Sequence, residues 1–292
     1  MRDFADYNPI VLFIYFLSAA GVAMFCMNPV ILALSLLGAV LLIFFRSRGK
    51  SLRSHLFFLL MFVGIALINP IVNHNGVTVL FVMNDNPVTL EALIYGAASS
   101  AMIVSVIYWF RSFSQMMTGD KLLYLFGSLS PKLALILSMA LRYVPLFGKQ
   151  AKKVNHAQKA LGLYKEDNVP DAIRGGMRVF SVMVTWALEN GIITADSMAA
   201  RGYGIGRRTF FSLYRFRKSD ALLLAVILLS SIGTLTGLTL GSVNFEYYPA
   251  LGSIPDSPFA ALSYISYALL ALLPSVLTIE EEIKWKSLQS KI

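Results

Sequence analysis

Residues 221–240 read ALLLAVILLSSIGTLTGLTL, a run of twenty residues without a charged side chain. A helix needs about 20 predominantly apolar residues to cross the hydrocarbon core of a bilayer. Five further apolar runs of similar length lie at 10–27, 30–45, 55–72, 88–110 and 259–278. The sequence therefore predicts an all-α, polytopic membrane protein with about six transmembrane helices.

The composition agrees with this prediction. Of the 292 residues, 57% are hydrophobic and only 14% are charged, whereas a soluble domain has about 25% charged residues. Cys26 is the single cysteine, so neither a disulfide framework nor a thiolate metal site is predicted. The three histidines, His55, His74 and His156, are far apart in the sequence, and no metal site or cofactor is expected.

The basic residues predict the orientation of the chain. Seventeen of the 25 lysines and arginines lie between Arg111 and Lys218, and the connections at 28–29, 73–87 and 241–258 contain none. Basic residues are enriched in cytoplasmic loops. Both termini and the segment 111–218 are therefore predicted to be cytoplasmic. The net charge of +9 is interpreted as a consequence of this topology, and no nucleic-acid partner is predicted.

The predicted organisation has three parts. Residues 1–110 hold the first four spans, residues 111–218 form a cytoplasmic insertion, and residues 219–292 hold the last two spans and a cytoplasmic C-terminus. Asn28-Pro29 predicts a tight hairpin between the first two spans. Aromatic side chains are expected in an interfacial belt, namely Trp109, Trp285 and the pair Tyr247-Tyr248.

The insertion contains three predicted helices, at about 120–129, 131–160 and 171–201. The second begins after Ser130, a favoured N-cap residue, with Pro131 in the first helical position. Its last turns present a basic face, formed by Lys149, Lys152, Lys153, His156 and Lys159. In the third, apolar residues recur every three or four positions and predict a stripe that allows another helix to approach closely. The stripe consists of Phe180, Val184, Ala187, Gly191, Ala195 and Met198.

Two of these helices end in similar short turns, Ala160-Leu161-Gly162 and Ala200-Arg201-Gly202. Glycine at a helix C-terminus favours a left-handed conformation that ends the helix. An arginine there is stabilised by the helix dipole and can project toward carboxylates or carbonyls of another surface. The turns are thus predicted to dock into grooves of a cytoplasmic partner, although Arg201 as a mere helix-end charge or interfacial anchor is the alternative.

At these residues the sequence resembles the transmembrane T components of energy-coupling factor (ECF) transporters, the EcfT/CbiQ-like family, which carries two Ala-Arg-Gly motifs at the ends of cytoplasmic coupling helices. The second motif is intact at Ala200-Arg201-Gly202, whereas the first has Leu161 in place of arginine. Further similar stretches are NHNGVT at 73–78, TLEALIYG at 89–96 after Asp85-Asn86-Pro87, and LFGSLSPKLALILSMALRYVP at 125–145.

The resemblance implies a non-catalytic importer subunit in a prokaryotic plasma membrane. It would join two ATP-binding-cassette ATPases, identical or different, to a small substrate-binding membrane subunit that takes up a vitamin or a metal ion. Carried over by position, Arg201 would be the main ATPase contact, with Ala200 and Gly202 allowing close approach. Ala160, Leu161 and Gly162 would form the second contact. Either Lys153 or Lys159 would replace the missing arginine there, or the ATPase pair would be asymmetric, with one groove that accepts an apolar side chain.

Two other functions remain open at this point. A polytopic membrane enzyme acting on a lipid or phosphorylated substrate would need acids or histidines that converge at the membrane face. The acids of the insertion are spread over its first and third helices and the loop before the third: Asp120, Glu166, Asp167, Asp171, Glu189 and Asp196. An ordinary ABC permease would need polar spans to line a translocation path, and the spans here are apolar. Glu91 and Asp220 are interpreted as helix-start carboxylates, which the helix dipole favours.

Overall fold

The structure is a computed structural model that describes residues 4–47, 52–73, 75–83, 86–163, 169–206 and 214–289. Several residues used above therefore lie outside the described residues: His74, Asp85, Glu166 and Asp167.

The described chain is almost entirely helical. A short 3₁₀ helix at Phe4–Asp6 precedes the α-helices, and one β-hairpin lies among them. The first elements are α1 (Pro9–Phe25), α2 (Pro29–Ser47), α3 (Leu52–Val72), β1 (Val79–Met83), β2 (Asn86–Thr89) and α4 (Leu90–Met116). They are followed by α5 (Gly119–Leu129), α6 (Pro131–Ala160), α7 (Val169–Ala200), α8 (Lys218–Thr239) and α9 (Pro258–Gln289).

Proline begins four of these helices, at Pro9, Pro29, Pro131 and Pro258. Proline suits the first helical position because the amide proton that it lacks would have no partner there. Two of the prolines follow an asparagine cap, in which the side-chain oxygen of Asn8 or Asn28 accepts a hydrogen bond from the amide two residues later, at 3.0 and 2.9 Å. Ser130 also lies at the predicted N-cap position, but its side chain makes no capping hydrogen bond.

Six helices in the described part of the chain are long and apolar enough to cross a membrane: α2, α3, α4, α6, α8 and α9. The polytopic helical fold and the number of spans are thus confirmed, but the set differs from the predicted one. The first predicted span is α1, a 17-residue helix at the lower end of the spanning range of about 17–25 residues. The additional candidate is α6, which the sequence analysis placed in the cytoplasm.

The helices fall into two compact units, one formed by Met1–Thr118 with Tyr214–Ile292 and the other by Gly119–Leu213. In the first unit, α4 packs against α1, α2 and α3, and α9 packs against α2 and α8. In the second unit, α6 packs against both α5 and α7.

The predicted short turn at Asn28-Pro29 is present between α1 and α2, but the two helices do not pack as a tight hairpin. Helices α1 and α2 touch only slightly, and α2 packs against α4 and α9 instead. The turn between them is held by α8–α9 connection residues and by α9, because the Asn28 amide donates hydrogen bonds to the Val243 carbonyl at 2.9 Å and to the Tyr264 hydroxyl at 3.0 Å. Each of these partners lies more than 200 residues away in the sequence, beyond the reach of a local sequence pattern.

The predicted aromatic belt is only partly present. Trp285 is 60% exposed, as an interfacial residue would be. Trp109, however, is fully buried, and its indole N–H donates to the Ser35 hydroxyl at 2.9 Å. Tyr247 is also buried and donates to the Met27 carbonyl at 2.7 Å. Burial raises the pKa of Tyr247 to about 12, so this phenol keeps its proton at physiological pH.

The connection between α3 and α4 contains an antiparallel β-hairpin that the sequence analysis did not predict. Glu91, in the first turn of α4, hydrogen-bonds to the residue that precedes the first strand of this hairpin. The buried Glu91 carboxylate accepts hydrogen bonds from the Thr78 amide at 3.1 Å and from the Thr78 hydroxyl at 2.7 Å. The helix-start position of Glu91 is confirmed, and its partner is a specific loop residue in addition to the helix dipole. Asp220 similarly caps α8 by accepting a hydrogen bond from the Arg217 amide at 2.8 Å.

The Gly96→Ala variant should destabilise the contact between α3 and α4. A Cβ atom at this position would lie 2.5 Å from the Ala66 carbonyl oxygen and 3.0 Å from the Asn69 Cβ, so one helix would have to shift. Overpacking of this kind costs about 1–3 kcal/mol. We expect a lower Tm in detergent, with Gly64→Ala as the control because no atom lies within 4 Å of its added Cβ. Equal Tm values for the two variants would contradict the close approach at Gly96.

Candidate functional site

The candidate site consists of the two turns that end α6 and α7. At the first turn, the Gly162 amide donates to the Lys159 carbonyl at 3.0 Å and the Leu163 amide donates to the Gln158 carbonyl at 3.2 Å. Gly162 has a φ of +67°, in the left-handed region that favours glycine. This pair of hydrogen bonds is a Schellman motif, which satisfies carbonyls that would otherwise lack partners at the helix end.

The turn that ends α7 has the same hydrogen bonds. The Gly202 amide donates to the Ala199 carbonyl and the Tyr203 amide donates to the Met198 carbonyl, each at 3.0 Å. Gly202 has a φ of +82°. Leu161 and Arg201 therefore occupy the same position, directly before the left-handed glycine. We call the two sites the Leu161 turn (Ala160–Gly162) and the Arg201 turn (Ala200–Gly202).

Both central side chains are accessible. Leu161 is 74% exposed, which is high for an apolar residue, and Arg201 is also exposed. Ala160 and Ala200 are exposed as well, and their small side chains leave the backbone of each turn open to close approach. The structure thus presents all the candidate residues at the surface of their unit, in two turns of equal geometry and different chemistry.

Helices α6 and α7 run antiparallel where they touch. The Tyr143 and Thr194 hydroxyls lie 2.8 Å apart, and the Phe147 and Trp186 ring centroids lie 5.5 Å apart. Three residues past the end of α6, the Leu163 carbonyl accepts a hydrogen bond from the Arg178 guanidinium at 3.3 Å. The Leu161 turn therefore lies near residue 178 of α7, whereas the Arg201 turn lies at the other end of that helix. At 1.5 Å per residue, the two turns are roughly 35 Å apart along α7.

The two turns also differ in the charges around them. The helix that leads to the Leu161 turn contains no aspartate or glutamate, and its predicted basic face is confirmed as exposed: Lys149, Lys152, Lys153, His156 and Lys159. The half of α7 that leads to the Arg201 turn instead contains Glu189 and Asp196, both exposed. The electrostatic surroundings of the Leu161 turn are thus basic, and those of the Arg201 turn are mixed.

The predicted packing stripe of α7 is not covered by another helix of the described chain, so its role as a close-approach surface stays a prediction. Phe180 is 64% exposed, and a Cβ added at Gly191 would meet no atom within 4 Å. Contact with α6 is made by the neighbouring face, through Trp186 and Thr194. The periodicity identified an amphipathic helix correctly. However, an apolar stripe does not distinguish a face that packs within the chain from one that is left for lipid or another protein.

Sequence analysis missed Ile205, which is 86% exposed next to the Arg201 turn. Its amide donates to the Gly202 carbonyl at 3.3 Å, and Gly204 has a φ of +96°. The close spacing of Gly202, Gly204 and Gly206 is the signal that a compact, exposed loop tip follows the helix. This loop adds an exposed apolar side chain next to Gly202, since a Cβ added at Gly202 would lie 3.6 Å from the Ile205 Cδ1.

The membrane-enzyme alternative gains no support from the acids of the insertion. Asp171 lies 4.0 Å from Arg174 on the same helix, in a solvent-exposed pair. Within the described ranges, no group of three histidine, cysteine, aspartate or glutamate side chains is arranged to hold a metal ion.

The Gly202→Ala variant should loosen the Arg201 turn. A left-handed conformation costs a residue with a Cβ atom about 1–2 kcal/mol. We expect faster hydrogen exchange at the amides of residues 202 and 203, which donate the two Schellman hydrogen bonds. Gly206→Ala is the matched control, since Gly206 has no left-handed φ and no atom within 4 Å of an added Cβ. Unchanged exchange in Gly202→Ala would show that the turn does not depend on glycine.

Comparison with known proteins identifies relatives of this chain. Over 109 residues it is 34% identical to the energy-coupling factor transporter transmembrane protein EcfT of Listeria innocua serovar 6a. This alignment covers 37% of this chain and 39% of the relative. Over 103 residues it is 29% identical to the corresponding EcfT 1 of Listeria monocytogenes serotype 1/2a, covering 35% and 39%. The aligned part thus spans 39% of the length of each curated relative.

A family model covers much more of the chain. The model of CbiQ, described as "Cobalt transport protein", matches residues 6–210. This range includes α1 to α7 and both candidate turns, and it is well over half of the 292 residues. The chain therefore belongs to the CbiQ family of transport proteins.

Proposed function

We propose that this chain is the energy-coupling transmembrane subunit of an ECF-type importer. It links two ATP-binding-cassette ATPases to a small substrate-binding membrane protein, for the uptake of a vitamin or a metal ion. The observation that carries the proposal is the pair of exposed Schellman turns at opposite ends of the α6–α7 helix pair, in a polytopic membrane protein of the CbiQ family. The names of both curated relatives, which describe energy-coupling transmembrane proteins, agree with this role.

The proposed mechanism begins with two docking contacts. Each turn inserts into a groove of one ATPase, and the left-handed Gly162 and Gly202 keep the two helix ends compact enough to enter. Because the turns lie roughly 35 Å apart along α7, each one meets a separate ATPase subunit. ATP-driven closure of the two ATPases then moves the helix ends, and the helices transmit the displacement as semi-rigid bodies. ATP hydrolysis takes place in the partners, and this subunit is not catalytic.

The substrate-binding subunit is proposed to cover apolar surface that the chain leaves exposed. Helix α7 carries a row of such side chains over most of its length: Ile173, Met177, Phe180, Val184, Leu188 and Ile192. Exposed apolar area of this extent on a helix is typical of a protein or membrane contact. Helix movement beneath a bound membrane subunit would tilt it and release its cargo. The subunit lies in a prokaryotic plasma membrane with both termini in the cytoplasm, as the distribution of basic residues indicates.

The two docking contacts are proposed to differ chemically. Arg201 offers a planar guanidinium that matches a carboxylate or carbonyl of the ATPase groove. Leu161 offers an apolar side chain in the same position, and Lys153 and Lys159 of the preceding turns supply the positive charge. An asymmetric ATPase pair, with one groove that accepts an apolar side chain, fits this arrangement.

The Arg201→Glu variant should weaken ATPase assembly or uncouple ATP hydrolysis from transport. Loss of a charge-paired arginine across an interface costs about 2–5 kcal/mol, which is a decrease in affinity of at least about thirtyfold. The measurement is the amount of each ATPase that copurifies with the tagged chain after coexpression, together with substrate uptake in reconstituted vesicles.

Arg174→Glu is the matched control for this charge reversal. Arg174 is 79% exposed on the same helix, and its ion-pair contact among the described residues is the 4.0 Å one with Asp171. Exposed pairs contribute about 0–1 kcal/mol. Normal assembly and uptake by Arg201→Glu would exclude the proposed role of Arg201. Equal losses in both variants would show that the total charge of α7, rather than the turn, controls assembly.

The Leu161→Ala variant should have a smaller effect than Arg201→Glu. Removing an apolar side chain of this size from a fully buried interface costs at most about 2–3 kcal/mol, and no charge is left unpaired. We expect partial retention of the second ATPase in the same copurification assay. Complete loss of that ATPase in Leu161→Ala, with full retention in Arg201→Glu, would reverse the proposed ranking of the two contacts.

A further inference from the structure

A cavity of about 440 Å³ lies between α2, α3 and α4. Its walls are almost entirely apolar and include Val40, Phe44, Phe58 and Leu59. Phe44 is 53% exposed and Leu59 is 61% exposed, so the cavity opens on the outer surface of this helical unit. A volume of 440 Å³ is about that of a single turn of an α-helix, whose diameter is roughly 10 Å. The cavity therefore has no room for a folded segment longer than one helical turn, whereas a flexible chain can enter it.

His55 is the one ionisable side chain other than Tyr108 in this lining. Its Nδ1 atom lies 2.8 Å from the Tyr108 hydroxyl, and the two rings are stacked with centroids 5.7 Å apart. The Nε2 atom is buried and has no hydrogen-bond partner among the described residues. A buried polar atom without a partner is costly, so an oxygen of a bound molecule would stabilise this end of the cavity.

Three arginines belong to the helix ends at this side of the cavity. The Arg111 guanidinium lies 5.6 Å from the centroid of the Phe58 ring, which lines the cavity. Arg53 is exposed and precedes His55 by two residues in the first turn of α3. Arg46 follows Phe44 by two residues in the last turn of α2. Arg46 and Arg111 also make contacts within the protein. Their contribution to this end of the cavity is therefore their positive charge. This is the side that the basic residues predict to be cytoplasmic.

A second apolar cavity provides a comparison within the same helical unit. It has a volume of about 300 Å³, lies between α1 and α4, and includes Leu17, Met24 and Phe110 in its lining. None of its lining residues is a charged side chain or a histidine. Leu17 is 63% exposed, close to the value for Leu59. The two cavities thus have similar apolar surfaces, but the cavity between α2, α3 and α4 also has a polar, cationic end.

We propose that the cavity between α2, α3 and α4 binds an anionic phospholipid of the cytoplasmic leaflet. One acyl chain fills the apolar cavity, the phosphate lies against Arg53 and Arg111, and His55 Nε2 hydrogen-bonds to an ester or phosphate oxygen. Basic side chains near a membrane surface attract anionic lipids, and an apolar cavity with a few polar groups at one end is the usual form of a ligand site. The α1–α4 cavity takes acyl chains without preference for the headgroup.

The test is native mass spectrometry of the full-length chain in detergent with equimolar phosphatidylglycerol and phosphatidylcholine of identical acyl chains. We expect the first retained lipid to be phosphatidylglycerol, in about fivefold or greater excess. One basic side chain at an anionic surface contributes about 1 kcal/mol, equivalent to about fivefold. Arg53→Gln should therefore lower the excess about fivefold. Leu59→Trp should fill the cavity and remove the preferred lipid, and Leu17→Trp, the matched control in the other cavity, should leave it bound.

Three outcomes would overturn the proposal. One is equal retention of the two lipids by the unmodified chain. Another is an unchanged phosphatidylglycerol excess in both Arg53→Gln and Leu59→Trp; because both positions are exposed, either variant remains informative if the other fails to fold. A third is a dimer of this chain that Leu59→Trp dissociates, since the cavity would then belong to a contact between two copies. The result does not depend on whether ATPases bind the two turns.

Discussion

Backbone hydrogen bonding in a medium without water is the constraint on which this structure depends. Each amide and carbonyl within the hydrocarbon layer needs a partner from the protein, and a helix supplies one for all but its first and last turns. At the helix ends, therefore, particular side chains are needed to supply the missing hydrogen-bond partners. Asn8 and Asn28 cap the first two helices, Thr89 accepts a hydrogen bond from the Ala92 amide of α4, and Asp220 caps α8. At the other end of α6 and α7, glycine achieves the same result through backbone geometry alone.

Once the helix backbones are satisfied, the packing of the first unit depends on small residues and on a few polar contacts. Gly38 and Gly96 let α2 approach α9 and α4 approach α3, and in the two places a carbonyl oxygen lies 2.7 and 2.5 Å from the position that a Cβ would take. Asn28 and Trp109 then connect helices that are distant in sequence. Between membrane helices the hydrophobic effect contributes little, so contact and hydrogen bonding determine which helices pair. This is why α2 pairs with α9 and α4 rather than with its sequence neighbour α1.

The same physics explains which features could be predicted from sequence. Apolar runs and proline or glycine at helix ends are local, so the helices of the insertion were predicted to within a few residues, and Gly162 and Gly202 were correctly identified as helix-ending residues. Trp109 could not be placed, because belt and core positions of a tryptophan near a span end have the same local sequence and only the distant Ser35 distinguishes them. The partner of the α7 stripe could not be predicted for a related reason, since lipid, partner and intramolecular contacts all favour apolar residues.

The two turns have the same backbone conformation and differ in one side chain. The contribution of the backbone can therefore be told apart from that of the side chain. Glycine alone sets the left-handed end and its two hydrogen bonds, and these are the same at both turns. The preceding residue contributes no side-chain capping role, so it is free to be leucine in one turn and arginine in the other. A difference at a position that folding does not constrain is best explained by the surface it meets. In the proposed docking, two turns of one shape, one apolar within a basic face and one cationic, would meet two unlike grooves rather than two identical ones.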